Sequence, residues 1–115
     1  MQTTDTTAVL DRQQLRDITL DDDELMHDVL SALIEDTSRQ IALLDNAIRQ
    51  QDPERCRRLA HYSKGACANV GANAAAAVLR RLEQEALSGD FGRCAESLST
   101  LGGELDRLRI AIAAL

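Results

Sequence analysis

The clearest pattern in the chain lies at its end. Phe91, Cys94, Leu98, Leu101, Leu105, Leu108, Ile112 and Leu115 are spaced 3,4,3,4,3,4,3, the alternation that lines the seam of a left-handed helical bundle. Gly102-Gly103 interrupts this run, so a bend or a tight helix contact is expected there. Upstream, Leu25, Met26, Val29, Leu30, Leu33, Ile34, Ile41, Leu44 and Ile48 mark a long amphipathic helix. Asp21 or Asp22 is its expected cap, and Asp23 and Glu24 suit the positive end of its dipole. The apolar stripe weakens over residues 35–40, where a bend or break is expected. A third stretch carries Val78, Leu79, Leu82, Ala86 and Leu87 inward, with Asn73 as the expected cap and Ala74–Ala77 allowing a close neighbour. Ser88-Gly89-Asp90 ends it. Residues 9–16 predict a short helix whose Val9, Leu10 and Leu15 act as lid contacts, and residues 1–8 are polar and expected to be flexible.

The remaining stretch, Pro53 to Gly71, separates into two faces. Asp52 can cap it, and Pro53 suits the first helical position because its missing N–H has no partner there anyway. Gly71 can take the positive φ that ends a helix. At roughly 100° per residue, Cys56, Leu59, Ser63, Ala66, Cys67 and Val70 form a core face. His61, Lys64, Gly65, Ala68 and Asn69 form the opposite one, flanked by Arg57 and Arg58. Glycine inside a helix costs about 0.5–1 kcal/mol relative to alanine. On an exposed face core packing does not explain it; close approach of a partner to the imidazole would.

Four long helical segments joined by short turns imply an all-α fold, an antiparallel up-down-up-down four-helix bundle with a short extra N-terminal helix, in one domain over residues 9–115. Composition agrees. Tyr62 and Phe91 are the only aromatics in 115 residues, and Pro occurs once. The net charge of −6 gives nucleic-acid binding no global support. That charge is uneven, however: Arg55, Arg57, Arg58 and Lys64 face only Glu54 within residues 54–64, a local basic patch that suits an acidic partner. Cys56 and Cys67 would lie roughly 16 Å apart on one helix, too far for a disulfide. With Cys94 they read as buried thiols in a reducing compartment. No apolar run resembles a signal peptide or reaches membrane-spanning length, so a cytoplasmic monomer that binds no membrane is expected.

Several chemistries compete for His61. It can be a plain surface histidine on a structural helix. A metal site lacks ligands, since His27 lies in another segment and no HxxxH or Cys/His cluster is present. A nucleophilic hydrolase lacks GxSxG and any Cys/His/Asn signature. Phosphoryl transfer through the imidazole fits best. A neutral imidazole is a good nucleophile near neutral pH, and phosphoryl transfer needs mainly positioning and charge neutralisation. Lys64 supplies a cation one turn away, Gly65 leaves room for an incoming active site, and Arg57 and Arg58 can attract an acidic donor.

The segment AHYSKGACANVGANAAAAVLRRLE resembles the histidine-containing phosphotransfer (HPt) family through His61, Lys64, Gly65, Asn69, Gly71, Ala72, Leu82 and Glu83. The resemblance extends in layout over residues 20–115. It implies a phosphorelay intermediate: His61 accepts a phosphoryl group from a receiver-domain aspartate and passes it to another receiver. The implied partners are response-regulator receiver domains and a hybrid sensor histidine kinase. Mg²⁺ is expected in the receiver, and the chain needs no cofactor of its own. It carries no Gly-rich nucleotide motif, so it is not expected to use ATP. Ser63 departs from the family's aliphatic residue two after the histidine, and its hydroxyl is expected to bond back to the Leu59 carbonyl. Counting ten residues from His61 to Gly71, and about as many back along an antiparallel helix, reaches Arg81–Glu83. Glu83 is therefore expected to accept a hydrogen bond from His61 Nδ1–H, leaving Nε2 as nucleophile. Two alternatives stand beside this reading: the phosphorylated N-terminal domain of a chemotaxis-type kinase, and a non-catalytic helical adaptor. The length and the end at Leu115 favour a stand-alone protein or an excised C-terminal module.

Overall fold

The structure, a computed structural model, describes residues 8–115. The expectation for residues 1–8 thus falls outside the described residues except at Ala8, whose carbonyl accepts the Ala74 N–H at 3.0 Å. Five helices make up the described chain: α1 (Arg12–Ile18), α2 (Asp23–Arg49), α3 (Pro53–Val70), α4 (Asn73–Leu87) and α5 (Phe91–Ala113). The long helices pack as neighbours, α2 on α3, α3 on α4 and α4 on α5, and α5 closes back on α2; the short α1 rests on α2 and α3. Leucines from α1, α2, α4 and α5 fill the interior, including Leu15, Leu30, Leu44, Leu79, Leu82, Leu101 and Leu108, together with Cys56 and Cys67 of α3 and Cys94 of α5.

Aspartates start most of the helices. The side chains of Asp11, Asp22, Asp52 and Asp90 accept from the backbone N–H three residues on, each satisfying a donor that the helix leaves unpaired. This shifts α1 to residues 12–18 from the expected 9–16. Val9 and Leu10 still pack on the core as the polypeptide approaches it. At α2 the cap is Asp22; Asp21 instead takes a left-handed φ of 61°, following Leu20 at 54°. At α4 Asn73 is the first helical residue, Ala72 is the cap, and no side chain bonds there.

Neither interrupted stripe breaks its helix. α2 runs unbroken through residues 35–40 because Thr37 enters the core where the apolar stripe lapses. Its hydroxyl lies 3.9 Å from Cys67 Sγ, so the buried polar group has a partner. α5 continues through Gly102-Gly103, and a Cβ at Gly102 would meet nothing within 4 Å, so no tight contact explains it. Leu25, Leu87 and Leu115, each at the end of its apolar stripe, are exposed and do not join the core. Among the described residues no helix is long and apolar enough to cross a membrane.

Candidate functional site

α3 carries the candidate residues, and both of its ends are fixed. Asp52 Oδ1 accepts the Arg55 N–H at 3.1 Å, and Pro53 occupies the first turn. At the other end Gly71 adopts φ 93°, and a Cβ there would lie 2.9 Å from the Asp11 carbonyl oxygen. Conformation and space therefore both demand glycine. The same close approach lets Asp11 N–H donate to Gly71 O at 2.8 Å. Gln14 Nε2 donates to the carbonyls of Ala68 at 2.6 Å and Asn69 at 3.2 Å. α1 thus clasps the end of α3, a role that periodicity in its seven residues could not reveal.

His61 projects from the exposed face of α3, its side chain 64% accessible. α4 runs back along α3 and brings Glu83 beside it. Glu83 Oε2 is 2.9 Å from His61 Nδ1, and Glu83 Oε1 accepts from Lys64 Nζ at 2.8 Å. One carboxylate, only 14% accessible, thus holds both candidate groups. Burial pushes the Glu83 carboxyl up, but the bonds from Lys64 and His61 outweigh it and hold it below the ordinary carboxylate value. With Nδ1 committed to a carboxylate, the ring proton belongs on Nδ1 and the lone pair on Nε2. Nε2 makes no hydrogen bond among the described residues. Glu83 sits where the antiparallel count from His61 to Gly71 and back puts it, while the Lys64–Glu83 bond has no counterpart in that spacing. Spacing along α3 puts Lys64 one turn from His61, but only the packing of α4 on α3 brings both onto the Glu83 carboxylate.

Gly65 leaves the space beyond His61 open: a Cβ there would meet nothing within 4 Å. Ala68 and Asn69 continue the exposed face. Arg57 is tied to Glu54 at 2.6 Å, and that bond holds the Glu54 carboxyl down. Arg58 lines an open groove of about 430 Å³ between α2 and α3, with Gln40, Leu43, Arg55, Leu59 and Tyr62. Tyr62 Oη donates to Asp36 Oδ2 at 3.1 Å, which pushes the phenol up and ties the residue after His61 to α2.

Ser63 differs from expectation. It is buried, but its hydroxyl makes no bond to Leu59 O or to any other described residue. The Leu59 carbonyl keeps a second lone pair that could accept it, as Glu96 O accepts from Thr100 Oγ1 at 3.2 Å in α5, and nothing in the structure explains why the Ser63 hydroxyl goes without. His27 lies exposed on α2. Among the described residues no three His, Cys, Asp or Glu side chains gather as metal ligands would.

The Hpt domain family profile matches residues 28–111, from within α2 to near the end of α5. The chain belongs to the Hpt domain family. Membership gives it a histidine phosphotransfer role in a phosphorelay, a setting in which such domains meet receiver domains and kinases. The fold is similar to the crystal structure of histidine-containing phosphotransfer protein B (HptB) from Pseudomonas aeruginosa PAO1, with a TM-score of 0.84 and 24% identity over 92% of each chain. No curated protein sequence matches.

Proposed function

We propose that His61 is the phosphoacceptor of this Hpt domain, taking its phosphoryl group from the phospho-aspartate of one receiver and passing it to another. The observation that carries this is the exposed imidazole whose Nδ1 is held by Glu83 at 2.9 Å while Nε2 stays free. The Nε2 lone pair attacks phosphorus, the P–O bond to the aspartate breaks, and the aspartate leaves as carboxylate. The ring keeps its proton on Nδ1, directed at Glu83. Transfer onward reverses these bonds. Gly65 keeps the approach open, and Arg57, Arg58, Ala68 and Asn69 border the face on which a receiver would dock. Mg²⁺ belongs to the partner, and this chain needs none.

In this reading residues 9–115 form one up-down-up-down bundle acting as a cytoplasmic monomer between a hybrid sensor kinase and a response regulator. The reading is tested by incubating the protein with a receiver domain phosphorylated on its aspartate and measuring acid-labile phosphate. Label should appear on the wild type and be absent from His61→Gln. Label that persists in His61→Gln would move the acceptor to His27 or end the proposal.

A further inference from the structure

The placement of Lys64 raises a problem of charge. Its ammonium is bonded to Glu83 Oε1, and the other oxygen of that carboxylate holds His61 Nδ1. Lys64 is therefore committed to the same carboxylate that holds Nδ1, and it makes no bond to the ring itself. To clamp phosphoryl oxygens directly it would have to use its remaining N–H groups while one stays on Glu83, whose side chain is only 14% accessible.

We propose that Lys64 acts through Glu83 as a positioning residue: it neutralises the carboxylate that must stand beside a doubly charged phosphoryl group. This rests on His61 being the phosphoacceptor. The carboxylate is needed to keep the proton on Nδ1, yet its charge repels an incoming group that carries about −1.5 to −2. Because Glu83 is largely withdrawn from water, solvent screens that repulsion poorly. The ammonium cancels it from the unused oxygen and leaves the histidine bond intact. A direct clamp would contribute whether or not Glu83 is charged. A shield contributes only where there is a charge to shield.

A double-mutant cycle separates the two. The proteins are wild type, Lys64→Met, Glu83→Gln and the double variant. Glutamine keeps an oxygen acceptor for Nδ1–H without the charge. Phosphoramidate serves as donor, so that docking of a protein partner does not enter; the Nε2–P bond forms as the donor's P–N bond breaks and ammonia leaves. Acid-labile phosphate is followed over time. Lys64→Met should slow labelling roughly tenfold when Glu83 is present, and less than about twofold in the Glu83→Gln background. Lys64→Arg should keep most of the rate, since a guanidinium can bond the same oxygen. Added salt should narrow the Lys64→Met deficit by screening the uncovered carboxylate. A merely structural pair would show this coupling in the melting curves and leave the labelling rates without it. Equal losses in both backgrounds, with the wild type labelled, would overturn the shield alone and make Lys64 a direct clamp. No label on the wild type would overturn the assignment of His61 and the shield with it.

Discussion

At the scale of single residues, exposure separates chemistry from stability. His61 is bonded only through Nδ1 and buries little surface, so His61→Gln should abolish phosphoryl acceptance yet shift the urea-unfolding free energy by no more than about 0.5 kcal/mol. Ser63, two residues on, behaves in the opposite way. Its buried hydroxyl has no partner among the described residues, and such a group costs about 1–3 kcal/mol. Ser63→Ala removes that cost at the expense of one small atom. It should raise stability by about 1 kcal/mol in urea unfolding and leave the labelling rate unchanged; a loss of stability would mean the hydroxyl is satisfied in solution. These two residues also mark what the sequence could tell. That His61 is exposed and Ser63 buried follows from a 100° step along one helix. Whether a buried hydroxyl finds a partner depends on the neighbouring helix, and no period within α3 encodes that.

At the scale of elements, α3 combines a local weakness with a firm end. Gly65 lies mid-helix with open space beyond it. Gly65→Gln should therefore stabilise the fold by about 0.5–1 kcal/mol in thermal or urea unfolding. It should also slow phosphoryl transfer from a phosphorylated receiver, because the new side chain stands where the partner approaches. Transfer at the wild-type rate would remove the steric argument for this glycine. Gly71 is the opposite case. Its positive φ and its 2.9 Å approach to Asp11 O penalise any Cβ, so Gly71→Ala should destabilise by more than 1 kcal/mol, about the least that left-handed strain costs. The existence and order of the helices were legible because their apolar positions recur at a fixed step. Their ends were less so. Asp21 and Asp22 are equally good caps by residue type, and the turn geometry between α1 and α2 chooses Asp22. The continuity of α2 was hidden because Thr37 reads as polar, although its small hydroxyl finds Cys67 across the helix contact.

At the scale of the whole molecule, the three cysteines report on the core. Cys56, Cys67 and Cys94 come from α3 and α5 and are fully buried as free thiols. Desolvation raises all three, Cys67 and Cys94 to about 11 against an ordinary 9.0. Buried, protonated thiols react slowly, because the thiolate is the nucleophile. Native protein should thus give almost no colour with a disulfide reagent at pH 8, and protein in urea should give three thiols per chain. The same shift carries a sign for stability. Above pH 9 the unfolded chain releases thiol protons that the folded chain retains, so the unfolded state binds fewer protons and stability falls with rising pH. The decline should run from about pH 9 and level off near pH 11. Urea midpoints at pH 8 and pH 10 measure it, and Cys67→Ala should flatten the slope even if it lowers stability at both values. A slope unchanged by that substitution would assign the alkaline loss to other groups, among them Tyr62, whose bond to Asp36 raises its phenol.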